Sequence, residues 1–254
     1  MRLSAIIALI GSLLTATMFA QSPVLIVLSS NATKAVVEEL GPRFEKATGQ
    51  RIAFTFANSA ELKDRIDQGE AFDVALLTSS LIGQLVTSGR LTAASRTDIA
   101  RAGVGVAIKA YTTKPDVSTA DALKGALVHA RSIAYVGQGA SAVIMRGIFE
   151  KFGLTEAMNA KTHLVPSAAH AVAAGEAELG FTQVSEILNV LGAEFAGPLP
   201  ADLQVYTTFQ AGVSAGSKST AGAERFISLL TSSAAAPIIK AKGMEVAVTA
   251  RIRR

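Results

Sequence analysis

The stretch 54-FTFANSAELKDRIDQGEAFDVALLTS-79 contains the clearest fold signal in this chain. The alternating segment 51–57 leads into the amphipathic segment 59–69, and the apolar run 72–79 follows. Alternating and continuous apolar runs are typical of strands, and Gly69 suits the C-terminal end of a short helix. The stretch therefore predicts a strand–helix–strand unit, the building block of parallel sheets.

The same alternation of strands and helices extends in both directions from this unit. Further strands are predicted at 23–30, 102–110, 161–167, 177–184 and 203–209, and further helices at 32–49, 80–89, 118–127, 168–176, 185–192 and 220–243. The segment 133–153 adds a strand, a glycine turn and a helix. Pro42 is expected to begin a new turn rather than lie inside one helix, and Pro237 is expected to break the last helix.

Two such α/β halves in 254 residues predict two lobes rather than one barrel. We place the connections between the lobes near 104–110 and 203–210. Lobe 1 is predicted to comprise residues 21–105 plus 208–254, and lobe 2 residues 106–207.

The N-terminus has the pattern of a secretory signal. Arg2 supplies a positive charge, the apolar run 5-AIIALIGSLLTATMFA-20 follows, and Ala20 offers a small residue for cleavage. We predict a signal peptide over 1–20 and an exported protein, with an uncleaved N-terminal anchor as the alternative. No later segment is apolar enough to be a transmembrane helix.

Composition excludes several classes of site. There is no cysteine, which rules out disulfides and thiolate ligands, and the three histidines show no metal-ligand spacing. The formal charge is only +4, and the basic group Arg251, Arg253 and Arg254 reads as a solvated tail. We therefore predict no metal site and no nucleic-acid partner.

The glycine turn in 133-IAYVGQGASAVIMRGIFEKFG-153 raises the question of a dinucleotide site. Gly137-x-Gly139-x-x-Ala142 fits the fingerprint of such sites, in which a helix N-terminus meets a phosphate. The fingerprint also needs an acidic residue after the next strand, and 163-HLVPS-167 has none. The turn is therefore interpreted as an anion-facing turn without a nucleotide.

An exported serine enzyme is an alternative that uses the same turn. Ser141 would be the nucleophile, but 139-GASAV-143 is not the G-x-S-x-G elbow. Its base would be His163 or His170, and the pattern does not choose between them.

Small polar residues recur where a predicted strand gives way to a helix. In parallel sheets these turns meet at one edge, where helix amides and hydroxyl or amide side chains together bind anions. The candidate ligand-binding residues are Ser30, Asn31, Ser59, Ser141 and Gln183. The alternative is that each residue only caps a helix.

The sequence resembles the periplasmic molybdate-binding proteins of ABC importers. The resemblance covers nearly all of the chain after the signal and rests on four blocks: 27-VLSSNATKAVVEEL-40, 54–79, 147-GIFEKFGL-154 and 175-GEAELGFTQVSEI-187. It implies an α/β fold of two lobes, each a mostly parallel sheet flanked by helices. It also implies a ligand cleft between the lobes that closes by a hinge motion.

The resemblance also implies where the ligand contacts fall. Ser59 matches the family's second contact, and Ser141 or Ala140 corresponds to the third; a fourth falls near Ala168. Asn31 stands where the family usually has serine.

Gln183 stands where the molybdate binders have tyrosine. Because amides also bring acceptor oxygens and change the size of a cavity, these two departures bear on the choice of ligand.

The resemblance predicts a monomeric periplasmic binding protein, not an enzyme, without a cofactor. It would capture a small oxyanion such as molybdate or tungstate and deliver it to the membrane permease of an ABC transporter. The alternatives are a binder of a small organic acid with the same fold, the serine enzyme, and the effector domain of a transcription regulator. The signal sequence and the lack of a helix-turn-helix segment argue against the last.

Overall fold

The computed structural model of this protein describes residues 23–247. The predicted signal peptide over 1–20 and the basic residues at 251–254 lie outside the described residues. Within 23–247, none of the helices has both the length and the apolar character needed to cross a bilayer.

The described residues form one mixed sheet with helices on its faces. The strands are β1 (Leu25–Ser30), β2 (Ile52–Ala57), β3 (Val74–Thr78), β4 (Thr97–Lys109), β5 (Ile133–Tyr135), β6 (Thr162–Leu164), β7 (Leu179–Gln183), β8 (Ala193–Pro198), β9 (Tyr206–Val213) and β10 (Glu245–Val246). The helices are α1 (Lys34–Thr48), α2 (Ser59–Asp67), α3 (Ser79–Thr87), α4 (Ala120–His129), α5 (Ala140–Phe152), α6 (Thr155–Asn159), α7 (Ala168–Ala174), α8 (Val184–Ile187), α9 (Thr220–Leu230) and α10 (Ala236–Ala241). Short 3-10 helices cover Asn31–Thr33 and Ala93–Ser95.

The strand order is β2-β1-β3-β9-β4-β7-β5-β6, and β8 and β10 pair with β4. Strand β1 pairs in parallel with β2 and β3, and β5 pairs in parallel with β6 and β7. The long strands β4 and β9 run antiparallel to their neighbours. The first part of β4, Thr97–Gly103, pairs with β9, and its last part pairs with β7 and β8. Strand β4 therefore joins two parallel α/β units into one curled sheet.

Apolar side chains cover both faces of each unit. Two clusters draw on residues before Gly103 and after Phe209, and include Leu40, Phe44 and Phe226. Two others draw on residues between Val104 and Leu203. This mixed α/β architecture agrees with the fold predicted from the sequence, while the limits of the two lobes stay a prediction.

The parallel register places the turns that matter for function. Ser30 at the end of β1 is paired with Ala57 at the end of β2, directly before the turn at Asn58. The carboxyl ends of parallel strands share one sheet edge, so their turns open on the same side.

Pro42 does not begin a new turn, as the sequence had suggested; it lies inside the single helix α1. Proline removes the amide that would bond the carbonyl of Glu38. Both Pro42 and Glu38 are exposed, so water replaces the lost partner and the buried face holds the helix together.

The predicted helix 185–192 is reduced to the four residues of α8, and strand β8 follows it. Helix α8 lies close against β4: a Cβ atom added at Gly105 would be 2.6 Å from Phe195 and 3.1 Å from Val184. Packing against the crossing strand therefore fixes the position of α8, which also faces the site described next.

Candidate functional site

A cavity of about 520 Å³ opens where the two α/β units meet. Its wall combines the ends of β1, β3 and β7 with the starts of α2, α5 and α7. All five residues predicted from the sequence line this one cavity: Ser30, Asn31, Ser59, Ser141 and Gln183. Their contact with a ligand stays a prediction.

The wall from the first unit consists of short polar side chains. Ser30 Oγ accepts a hydrogen bond from the amide of Ala32 at 3.4 Å, and Ser59 Oγ accepts one from the amide of Thr78 at 3.3 Å. Both hydroxyls therefore keep their own proton for another acceptor. The side-chain oxygen of the neighbouring Asn58 instead caps α2, accepting a hydrogen bond from the amide of Glu61 at 2.9 Å.

The wall from the second unit is the start of α5. Gly139 precedes this helix, and no side chain caps it. The turn is tight, because the amide of Gly139 bonds the carbonyl of Val136 at 2.9 Å and a Cβ there would meet the same carbonyl at 3.2 Å. The first amides of α5 therefore lack intrahelical partners and lie at the cavity, with the positive end of the helix dipole.

The floor of the cavity contains two buried polar atoms without a partner. Gln183 is 5% exposed and Ser185 is 2% exposed. Within the described residues, Gln183 Nε2 and Ser185 Oγ make no hydrogen bond. An unsatisfied buried polar atom costs about 1–3 kcal/mol, a cost that a ligand acceptor would remove.

Glu186 follows Ser185 in the chain and also lines the cavity. Its carboxylate accepts hydrogen bonds from Thr182 Oγ1 and from the backbone of Gln183. Burial raises the pKa of the Glu186 carboxyl above its ordinary value, and the two hydrogen bonds offset only part of this rise.

We expect Glu186→Gln to stabilise the protein at neutral pH by a few degrees in melting temperature. Since the folded-state pKa is raised, the unfolded chain loses its proton first as the pH rises, and the free energy of unfolding falls between the two pKa values. Because glutamine does not ionise, the variant does not lose unfolding free energy in this way. Melting curves from pH 4 to 8 should show its advantage growing with pH, and an advantage independent of pH would contradict the assignment.

The charged residues Lys34, Glu38 and Glu186 line the cavity but were not among the residues predicted to contact the ligand. Lys34 lies 3.9 Å from Glu38, and both side chains are half exposed. His170 lines the cavity with its Nδ1 bonded to Ser167 Oγ at 2.9 Å. A charged side chain near the start of a helix is also typical of a solvated helix face, so the sequence alone gives no separate signal for Lys34 or Glu186.

The histidine geometry bears on the serine-enzyme alternative. The Nδ1 atom of His170 contacts Ser167 rather than Ser141. Among residues 23–247, no group of three or more histidine, aspartate or glutamate side chains is placed to hold a metal ion.

Two curated relatives match nearly the whole chain. An aconitate isomerase from Pseudomonas sp is 32% identical over 247 residues, covering 93% of this chain and 94% of the relative. The molybdate-binding protein ModA from Azotobacter vinelandii is 29% identical over 253 residues, covering 95% of this chain and 97% of the relative.

Solved structures show the same fold. The Azotobacter vinelandii periplasmic molybdate-binding protein has a TM-score of 0.75 at 22% identity, over 88% of this chain and 99% of that chain. The sulfate-binding protein SubI from Mycobacterium tuberculosis has a TM-score of 0.70 at 13% identity, over 90% of this chain and 88% of that chain.

The family model for bacterial extracellular solute-binding proteins matches residues 25–245, which is nearly all of the described chain. The two-unit fold, the cavity between the units and this match agree with one another. The chain therefore belongs to the bacterial extracellular solute-binding protein family.

Proposed function

We propose that the cleft of this chain binds a small polycarboxylate of the aconitate type and interconverts its cis and trans forms. The observation that carries the proposal is the size of the cavity, about 520 Å³. A tetrahedral oxyanion takes up on the order of three water volumes, or about 90 Å³. Hinge closure would have to remove most of the cavity to hold such an ion tightly, whereas a six-carbon tricarboxylate such as aconitate is larger and needs less closure.

The distribution of donors also suits several carboxylates rather than one compact ion. On the floor, Gln183 and Ser185 offer donors that have no partner in the described part of the chain, and the uncapped start of α5 forms another wall. Lys34, which lies 3.9 Å from Glu38, adds an ammonium group on the side of the first unit. Separate groups of donors match separate carboxylates on one molecule, because each carboxylate accepts several hydrogen bonds.

One of the two relatives supports the same ligand class. The Pseudomonas relative is named for activity on aconitate and is similar along the full length of this chain. Asn31 and Gln183 depart from the pattern of the molybdate binders at two wall positions, and both face the same cavity.

Isothermal titration with trans-aconitate, cis-aconitate, molybdate and sulfate tests the choice of ligand. We expect binding heat with the aconitates and none with the inorganic ions, and proton NMR of the mixture should show the two aconitates interconverting. Heat with molybdate alone would overturn the polycarboxylate proposal.

Capture of a tetrahedral oxyanion is the second candidate. It is favoured by the hydroxyls of Ser30 and Ser59 and the amides of α5, since neutral donors suffice for a fully ionised oxyanion. In that case the chain would act as a monomeric periplasmic binding protein that delivers molybdate or tungstate to an ABC permease. Both candidates place the protein outside the cytoplasm after export.

A further inference from the structure

Glu186 lies on the cavity wall, in the first turn of α8. It sits in α8, directly after Gln183 and Ser185, whose buried donors have no partner among the described residues. A carboxylate group of a ligand held by those two donors would lie beside the Glu186 carboxyl. Where that carboxylate is the one attached to the methylene group of an aconitate-type molecule, the carbon atom next to it is the acidic carbon.

We propose that Glu186 is the general base and the general acid of this cleft. Its carboxylate takes a proton from the methylene group of a bound polycarboxylate, and the resulting carboxyl returns a proton at the other end of the allylic unit. The inference rests on the proposed function, since it names the residue that would move the proton in the same site.

The proposed step conserves protons and electrons. In aconitate the methylene group lies between a carboxylate and a carbon–carbon double bond. Glu186 removes one proton, and the electron pair of the broken C–H bond spreads over the three-carbon unit and the attached carboxylate. The Glu186 carboxyl, which can exchange its proton with solvent, then delivers a proton to the far carbon, so the double bond moves by one position. The conformation about the former single bond decides whether the new double bond is cis or trans, and no oxidant, reductant or co-substrate is consumed.

The surroundings of Glu186 suit proton transfer in both directions. Thr182 Oγ1 and the Gln183 backbone hold its carboxylate in one orientation. Because burial raises the pKa of this carboxyl, its neutral and ionised forms come closer in free energy at neutral pH than in an exposed glutamate.

The other titratable groups on the cavity wall are less suitable. Glu38 is half exposed and is paired with Lys34, so water and an ion pair compete for its carboxylate. His170 is exposed, and its Nδ1 is engaged by Ser167.

Glu186→Gln in the full chain tests the inference, because glutamine keeps the shape and the acceptor oxygen but cannot take the proton. We expect turnover of trans-aconitate, followed by proton NMR, to fall about 10²- to 10⁴-fold. The Kd for trans-aconitate from isothermal titration should change by less than about threefold. In D2O, the wild type should incorporate deuterium at carbon, and the variant should not.

Glu156→Gln is the matched control, since Glu156 is also in the first turn of a short helix but is exposed and outside the cavity lining. We expect this control to keep wild-type turnover. Full turnover in Glu186→Gln would overturn the role of Glu186 while leaving aconitate binding intact. Binding by the wild type without turnover or carbon exchange would also overturn it, whereas no binding by the wild type would overturn the polycarboxylate proposal itself.

Discussion

Replacing Ala140 with proline should weaken aconitate binding about 10- to 100-fold, because a hydrogen bond to a charged group contributes about 1.5–3 kcal/mol. Ala140 is the first residue of α5, where the amide has no intrahelical partner and lies at the cavity. Proline removes this N–H group, and the helix loses no internal hydrogen bond, because its first amide has no intrahelical acceptor.

The backbone at this position accepts proline. Gly139, the preceding residue, has φ −77° and ψ 161°, an extended conformation of the kind that proline requires before it. Proline is also favoured at the first position of a helix. We therefore expect the melting temperature of Ala140→Pro to stay within a few degrees of the wild type.

Ala120→Pro is the control for this variant. Ala120 is the first residue of α4, follows the extended residue Thr119, and lies outside the cavity lining. It should bind aconitate with wild-type affinity in the same titration. If Ala140→Pro also binds with wild-type affinity, the amides of α5 are not part of the ligand site.

Replacing Phe226 with alanine should produce the largest loss of stability, about 3–5 kcal/mol. The ring of Phe226 is fully buried, lies 5.4 Å from the ring of Phe44 in an edge-on arrangement, and lies 5.9 Å from the ring of Phe54. These contacts join α9, near the end of the chain, to α1 and β2 near its beginning. Alanine would leave a cavity at the point where the returning chain closes the first unit.

Thermal unfolding of Phe226→Ala should show a melting temperature about 6–20 °C lower, since each kcal/mol shifts a domain of this size by about 2–4 °C. Phe152→Ala is the control, because Phe152 is only partly buried at the edge of the other unit. Its loss should be less than half as large. Equal losses of stability in the two variants would show that the aromatic contacts of Phe226 add no more stability than a partly buried phenylalanine does.

The strand–turn–helix units were predictable because their signals are local. Ser59 and Gly69 mark the start and end of α2 as the sequence suggested, and Gly69 has φ +96°, which glycine adopts without strain. For the long strand β4 (Thr97–Lys109), only the part from residue 102 onward was predicted. Its first residues, Thr97–Arg101, include charged side chains that are more typical of a loop. They form a strand because they pair with β9 and β10.

Strand β8 was not predicted for a similar reason. Its sequence AEFAGP contains glycine and proline, which usually interrupt strands, and it forms at the edge of β4 with a register shift. Long-range pairing decided this element, and no local period marks it.

The candidate site divides in the same way. Polar turns such as those at Ser30 and Ser59 could be predicted after the parallel strands, because strand period and helix caps are properties of short segments. Three features of the site required the packed structure. Lys34 and Glu186 line the same cavity, Gln183 Nε2 has no partner among residues 23–247, and the space between the units is about 520 Å³. The volume of the cavity, the burial of a carboxyl and the absence of a hydrogen-bond partner depend on residues far apart in the chain, so no local pattern contains them.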